Sequence, residues 1–197
     1  MTIEFPRSRS QRAPAPAKLR ILKIANQFFY REGIRTVGID KLISESSVTK
    51  ATFYKHYRSK DNLILEYMNS RHDATVTALE ELIAESPSPK ATIERWAASV
   101  ADEIAEPDFR GNAFLNAAGE FPDPTHPVRR IVTEHRDWYA ARLADLMRSA
   151  GHAVPGDAAD DLILARDGVL SGSYAGDPVA ATAAFSRTVS RVLAEIG

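Results

Sequence analysis

An all-α fold is predicted by three features of the sequence. Apolar residues recur at three- and four-residue spacing along most of the chain, every break beyond about residue 84 carries Pro or Gly, and no segment shows the two-residue alternation of a half-buried strand. Together they predict about nine helices without an internal repeat: a three-helix N-terminal head with a helix-turn-helix, and a roughly six-helix body. With 197 residues, 44% of them hydrophobic, the chain has enough material for a sizeable core.

Residues 1–17, rich in Pro, Ser and Arg, have too few apolar side chains to offset the entropy of ordering, so they read as a flexible basic tail, with a minor-groove arm as the other reading. From Lys18, the spacing of Ile21, Ile24, Ala25, Phe28 and Phe29 predicts a first helix, and Gly33 stands where a left-handed cap is wanted. Ile39, Leu42 and Ile43 share one face of a second helix that starts at Gly38 and ends near Ser46. Ser47 and Val48 make the turn. Thr49 suits the N-cap of a third helix, in which Ala51, Phe53 and Tyr57 face inward while Thr52, Lys55 and His56 face out. Ser59 then caps a long fourth helix, whose stripe from Leu63 through Tyr67, Arg71 and Thr75 to Leu82 persists to about Ala84, a length of about 36 Å.

Further breaks at 86–89, 106–111, 121–127, 151–157 and 171–178 separate the remaining helices. Their stripes carry Ile93, Trp96 and Val100; Phe114, Ala117 and Phe121; Val128, His135, Trp138, Tyr139 and Leu143; Leu162, Ile163 and Leu170; and Phe185, Val189 and Val192. The domain boundaries expected on this reading are a tail at 1–17, a DNA-binding head at 18–60 and a body at 61–197.

Composition narrows the class. The absence of cysteine excludes disulfides, thiolate zinc sites, zinc fingers of the Cys-containing kinds and cysteine nucleophiles. No apolar run approaches the roughly 20 residues that cross a bilayer, and residues 1–18 lack the apolar stretch of a secretion signal, so a cytoplasmic protein without membrane association is expected. The net charge of -1 conceals an asymmetry. Residues 1–60 hold 13 Lys+Arg against 4 Asp+Glu, and residues 61–197 hold 12 against 22, so a head of +9 sits on a body of -10. Part of that excess belongs to Arg7, Arg9 and Arg12 in the tail; without them the head is still +6. A basic head on an acidic carrier suits phosphate binding.

The stretch from Gly33 to Lys60 supplies the motif. A helix that enters the major groove needs a small residue where it packs on its support, here Ala51, and outward groups that reach base edges and phosphates. Thr49, Lys50 and Thr52 are the expected readers of sequence. Lys55 lies within reach of bases or phosphates, Tyr54 and His56 are placed to hydrogen-bond phosphate, and Lys60 adds charge beside a helix N-terminus. The set Gly33, Leu42, Thr49, Ala51, Thr52, Phe53, Tyr54, Lys55, His56, Tyr57, Ser59 and Lys60 closely resembles the head of the tetracycline-repressor (TetR) family of transcriptional regulators, over about 45 residues from Lys18 to Leu65. Two positions depart from the family pattern. Gly38 replaces the usual capping Thr or Ser, so a phosphate contact there falls to the backbone N–H. Ser47 replaces the usual turn glycine.

The resemblance implies a homodimer whose last two helices from each subunit form a four-helix bundle, a palindromic double-stranded DNA operator, and a small-molecule effector held by the middle helices, with no other cofactor and no metal. Repression relieved by the effector is the family expectation. For the bundle the sequence offers Leu162, Leu170, Phe185, Val189 and Val192. For the effector pocket it offers polar groups on apolar stripes, Asn116, Glu120, His135 and Arg166, with Trp96, Phe114, Trp138 and Tyr139 as walls. Each also has a plainer reading: Arg166 paired with Glu120, His135 bonded to a backbone carbonyl, and the aromatic groups as ordinary core. An enzyme is disfavoured because there is no P-loop, GxSxG, HExxH or glycine-rich dinucleotide fingerprint, and the five histidines lack ligand spacing. The remaining rival is a helical interaction protein whose basic head binds another partner.

Overall fold

The computed structural model describes residues 15–196. The tail or minor-groove arm expected at residues 1–17 therefore lies almost wholly outside the described residues. Nine helices run through the described part: α1 (Pro16–Glu32), α2 (Ile39–Glu45), α3 (Lys50–Tyr57), α4 (Lys60–Glu85), α5 (Pro89–Ala105), α6 (Ala113–Glu120), α7 (Pro127–Ser149), α8 (Pro155–Ala175) and α9 (Pro178–Ala194). Among those residues there is no strand, only an isolated backbone bridge between His152 and Ile196.

The helix ends follow local chemistry. Five helices begin with Pro in the first turn, where a missing N–H costs nothing and φ is already set. α1 closes at Gly33, whose φ of 93° is open to glycine and whose N–H returns to Phe29 O. Ser59 caps α4 by accepting from Asn62 N–H, and Asp177 caps α9 by accepting from Val179 and Ala180 N–H. One expected break is displaced. The glycine-containing stretch at 171–178 begins as helix, because α8 continues to Ala175. A Cβ at Gly172 would lie 3.4 Å from Ala181 Cβ, so glycine here lets α9 pack closely on α8.

Apolar side chains collect into two cores. The body core joins α4, α5, α7, α8 and α9 around Ile93, Trp96, Leu143, Met147, Leu162 and Leu170. The head core is built on Ile21, Phe29, Leu42, Phe53, Leu63 and Tyr67, and it extends past residue 60 to take in Phe114 and Ala117 of α6 and Val128 of α7. Three short helices enclose too little apolar surface alone, and these later elements complete it.

The stripe expected to face a partner subunit is this chain's own core. Leu162, Leu170, Phe185, Val189 and Val192 are all buried within the single chain. A helical hairpin lays its most apolar stripe on its own domain, and that leaves a smaller-residue face outward. On α8 this face carries Leu164, Gly168, Ser171 and Tyr174, and on α9 Val179, Ala180, Ala183 and Ala184. Leu164 is 63% exposed and Val179 78%.

Candidate functional site

The helix-turn-helix is set by α2, a four-residue connection and α3. Leu42, Phe53 and Tyr57 are buried between the helices, which fixes how α3 lies on its support. In the turn, Ser46 buries its hydroxyl by donating to Leu42 O at 2.6 Å. Ser47 adopts a φ of 51°, the left-handed region, and a side chain there costs about 1 kcal/mol. Val48 N–H returns to Ile43 O, and Thr49 caps α3 by accepting from Thr52 N–H at 3.1 Å. Gly38 is the extended residue before α2 and makes no side-chain cap, so the backbone N–H is the group this position offers.

The outward face of α3 carries most of the expected readers. Thr49 and Thr52 share a hydroxyl contact of 2.9 Å. Lys50 is exposed, with Nζ 3.8 Å from a still more open Asp40, a pair that water screens and phosphate can replace. Tyr54 is exposed and braced edge-on by Phe53 at 5.4 Å, with Lys55 exposed and His56 half-buried after it. Ala51 does not pack inward as expected; it is exposed. Two residues along a helix is a rotation of about 200°, so Ala51 cannot share the inward face of Phe53. Lys60 also differs from expectation. Its Nζ reaches Arg35 O at 3.4 Å and lies 5.8 Å over the Phe29 ring, and desolvation by this half-buried setting lowers its pKa.

Glu120, offered by the sequence as a pocket group, makes a contact to the head. Its carboxylate accepts from Ile34 N–H at 2.8 Å and Arg35 N–H at 2.7 Å, just after the end of α1. Arg35 in turn donates to Glu120 O. The other side of α6 is tied to the same helix: Tyr30 of α1 donates to Gly111 O at 2.9 Å and accepts from Arg110 N–H at 2.8 Å. Thus α6 is held to the head both before its first turn and at its last residue. Asn116 points outward and donates to Arg110 O. Glu120 also lines an open notch of about 440 Å³, together with Arg35, Lys60, Asp61, Phe121 and His126 among others.

The remaining pocket candidates come together as an aromatic column. Phe114 stacks on His135 at 3.5 Å, His135 lies parallel to Tyr139 at 5.8 Å, and Tyr139 accepts from Trp96 Nε1–H. Phe114 belongs to the head core and Tyr139 to the body core, so His135 occupies the seam. His135 Nδ1 bonds His72 Nδ1 of α4 at 3.1 Å, not a backbone carbonyl, and Trp138 packs edge-on against His72. Burial above all, with the neighbouring His72 and Arg166 opposing a further positive charge, pushes His135 down to about 3. Burial also lowers His72. Arg166 faces Glu103, not Glu120, at 3.7 Å.

Sequence reasoning overlooked Tyr30, His72, Glu103 and Arg110 as site residues. Arg71 stood in the apolar stripe of α4 and deserved the same scrutiny as Arg166, since a cation at a core position needs partners. Tyr30 carried no signal, and Glu120 only that of a polar group on an apolar helix, because their contacts to distant backbone exist only in the folded chain.

Comparison with known proteins accords with this geometry. Residues 21–67 match the family described as "Bacterial regulatory proteins, tetR family". Two HTH-type transcriptional regulators of Bacillus subtilis match over the N-terminal part: YuxN, 23% identical over 86 residues, and YerO, 31% identical over 81 residues. These matches cover 44% and 40% of this chain, and only 30% and 28% of the relatives' own lengths. Among solved structures, the regulatory protein TetR from Rhodobacter sphaeroides superposes with a TM-score of 0.80 at 19% identity, covering 90% of this chain and 99% of the other, which shows the shared fold. The TetR-family transcriptional regulator SCO4454 from Streptomyces coelicolor superposes with a TM-score of 0.87 at 37% identity, covering 91% of this chain and 95% of the other. With a matching family head, a shared fold and that identity over nearly the full length of both chains, this protein belongs to the TetR family of DNA-binding helix-turn-helix transcriptional regulators.

Proposed function

We propose that this chain is a repressor that binds a palindromic operator as a homodimer and leaves it when a small molecule enters the body. The observation that carries the reading is the continuity of α4. This single 26-residue helix runs from Lys60, next to the recognition helix, to Glu85, and places Leu79, Leu82 and Ile83 on the body core. Its first half packs in the head core through Leu63, Ile64, Tyr67 and Met68, and its second half in the body through Leu79. A shift of α4 in the body therefore moves α3 in each subunit and changes the spacing of the two recognition helices, which a palindrome with half-sites about one turn apart reads directly.

In this reading Thr49, Lys50 and Thr52 contact base edges, while Tyr54, Lys55, His56 and the Gly38 N–H hold phosphates. Lys60 organises the end of α1 and lends charge to the same edge. The subunits pair through the outward faces of α8 and α9, where Gly168, Ser171, Ala180, Ala183 and Ala184 permit close helix approach around Leu164 and Val179. No helix among the described residues is long and apolar enough to cross a membrane, in keeping with a cytoplasmic regulator.

Electrophoretic retardation of the DNA upstream of the chain's own gene tests this function. Retardation at low salt that is lost with Lys50→Ala and weakened with Tyr54→Phe is expected. No retardation at low salt with the unaltered chain sinks the operator reading. Sedimentation should give a dimer, and Leu164→Glu should give a monomer.

A further inference from the structure

Two arginines near the seam of the two cores, Arg166 and Arg71, bury an Nε without a hydrogen-bond partner. Arg166 of α8 has only 13% of its side chain exposed, and its guanidinium lies 5.1 Å over the Tyr139 ring. Its Nε is buried without a hydrogen-bond partner. The carboxylate it faces, Glu103 of α5, is 3.7 Å from Nη2, beyond hydrogen-bond length, and 45% exposed. On α4, Arg71 shows the same deficit. Its Nε is also buried and unpartnered, its guanidinium lies over the Tyr30 and Tyr67 rings, and one long bond of 3.4 Å reaches Asn26 O. The two arginines border one region: Arg166 lies over Tyr139, Tyr139 lies parallel to His135, and His135 bonds His72, the neighbour of Arg71 on α4.

A guanidinium carries five donors, and keeping them from water without acceptors is costly. A core that needed only packing would place an apolar residue at Arg166, between Ile163 and Leu170. The partner it does have is loose, and its exposure leaves it room to swing outward. Around the guanidinium stand flat surfaces: Tyr139 beneath it, Trp96 bonded to Tyr139, and Phe114 stacked on His135 one step away. Donors in a planar fork next to aromatic faces are complementary to a planar anion.

We propose that the body interior receives an aromatic carboxylate, whose oxygens take the Arg166 guanidinium in place of Glu103 and whose ring lies against Tyr139 and its neighbours. This rests on the reading that the body senses a small molecule, and it names the chemical class. Glu103 then acts as an internal competitor: it holds the cation in the empty state and is displaced on binding.

The two tryptophans of the chain, Trp96 and Trp138, both belong to this column, so intrinsic fluorescence of the full-length protein reports on it. Titration is made with benzoate and salicylate, with neutral benzamide, with cationic benzylamine and with inorganic phosphate. Carboxylates are expected to bind at least roughly tenfold tighter than benzamide, and phosphate alone more weakly than benzoate. Arg166→Met should abolish that preference, Arg166→Lys should reduce it by removing the fork, and Glu103→Gln should tighten benzoate several-fold. The gain in Glu103→Gln cannot arise from misfolding. Benzamide or benzylamine binding as well as benzoate, phosphate binding as well as benzoate, an unchanged preference in Arg166→Met, or no carboxylate binding up to the order of 10 mM each overturns the proposal. Operator release is read separately. Release by neutral or cationic aromatics alone leaves sensing intact and sinks the anion; carboxylate binding without release leaves the anion site and sinks the switch.

Discussion

Glu120→Gln is the substitution that isolates the tie between body and head. The native carboxylate accepts two N–H groups, from Ile34 at 2.8 Å and Arg35 at 2.7 Å. An amide of the same shape has one oxygen to offer and turns an NH2 toward the second donor. A charge-assisted bond is worth about 1.5–3 kcal/mol where it is shielded, and less where water reaches it, as at Arg35. The two together give a loss of about 2 kcal/mol. For a chain of this size that lowers Tm by about 5 °C, and it raises local opening about 30-fold. Hydrogen exchange resolved to the amides of Ile34 and Arg35, alongside a thermal melt, measures both. The physical argument also requires that exchange in the body core around Leu143 and Leu162 changes little. If the two amides exchange within about threefold of the unaltered protein, the carboxylate is not what holds this junction and the reasoning fails.

Other outcomes follow from the same contacts. Ser47→Gly removes a side chain from a φ of 51° and should stabilise the chain by up to about 1 kcal/mol in urea denaturation, without loss of operator affinity. Thr49→Ala deletes the cap of α3 and should cost about 1 kcal/mol while weakening DNA retardation. Lys55→Ala should lower operator affinity across sequences and reduce the slope of log affinity against log salt by about one. Because burial depresses His135 in the folded chain to about 3, the unfolded chain takes up that proton first as pH falls below about 6.5. Stability is therefore full above that pH and declines toward 3, by at most about 2 kcal/mol at pH 5. His135→Gln should flatten this part of the urea midpoint against pH, and an equally steep profile in the variant would assign the effect to other groups.

Much of the head was legible because its signals are local. Caps at Thr49 and Ser59, the stripe Leu42, Phe53 and Tyr57, and the cap at Gly33 each depend on residues within a turn or two of one another. The long α4 was legible for the same reason. The expectations that changed depend on contacts across the chain. Which stripe of α8 and α9 faces inward cannot be told from a stripe alone, so Leu162 and Phe185 were equally compatible with a partner or with this chain's own core. Glu120 stood out as a polar group on an apolar helix, but its partners, the distant amides at 34 and 35, could not be read from that. His135 was correctly marked as a polar group needing a partner, but that partner, His72, sits 63 residues away. Ala51 was a different kind of error, since helical geometry alone places it opposite Phe53.

The extension of the head core into α6 and α7 sets a limit on how this regulator can be taken apart. A fragment ending after residue 60 would leave Phe29, Leu42 and Phe53 without the first half of α4 and without Phe114, Ala117 and Val128, all of which share one core with them. The DNA reader is thus not a portable cassette. On the proposed reading, operator preference is better re-engineered by exchanging the outward side chains of α3, at 49, 50, 52, 54 and 55, than by swapping whole heads between relatives, because the exchanged surface touches solvent while a swapped head must also fit a foreign α6.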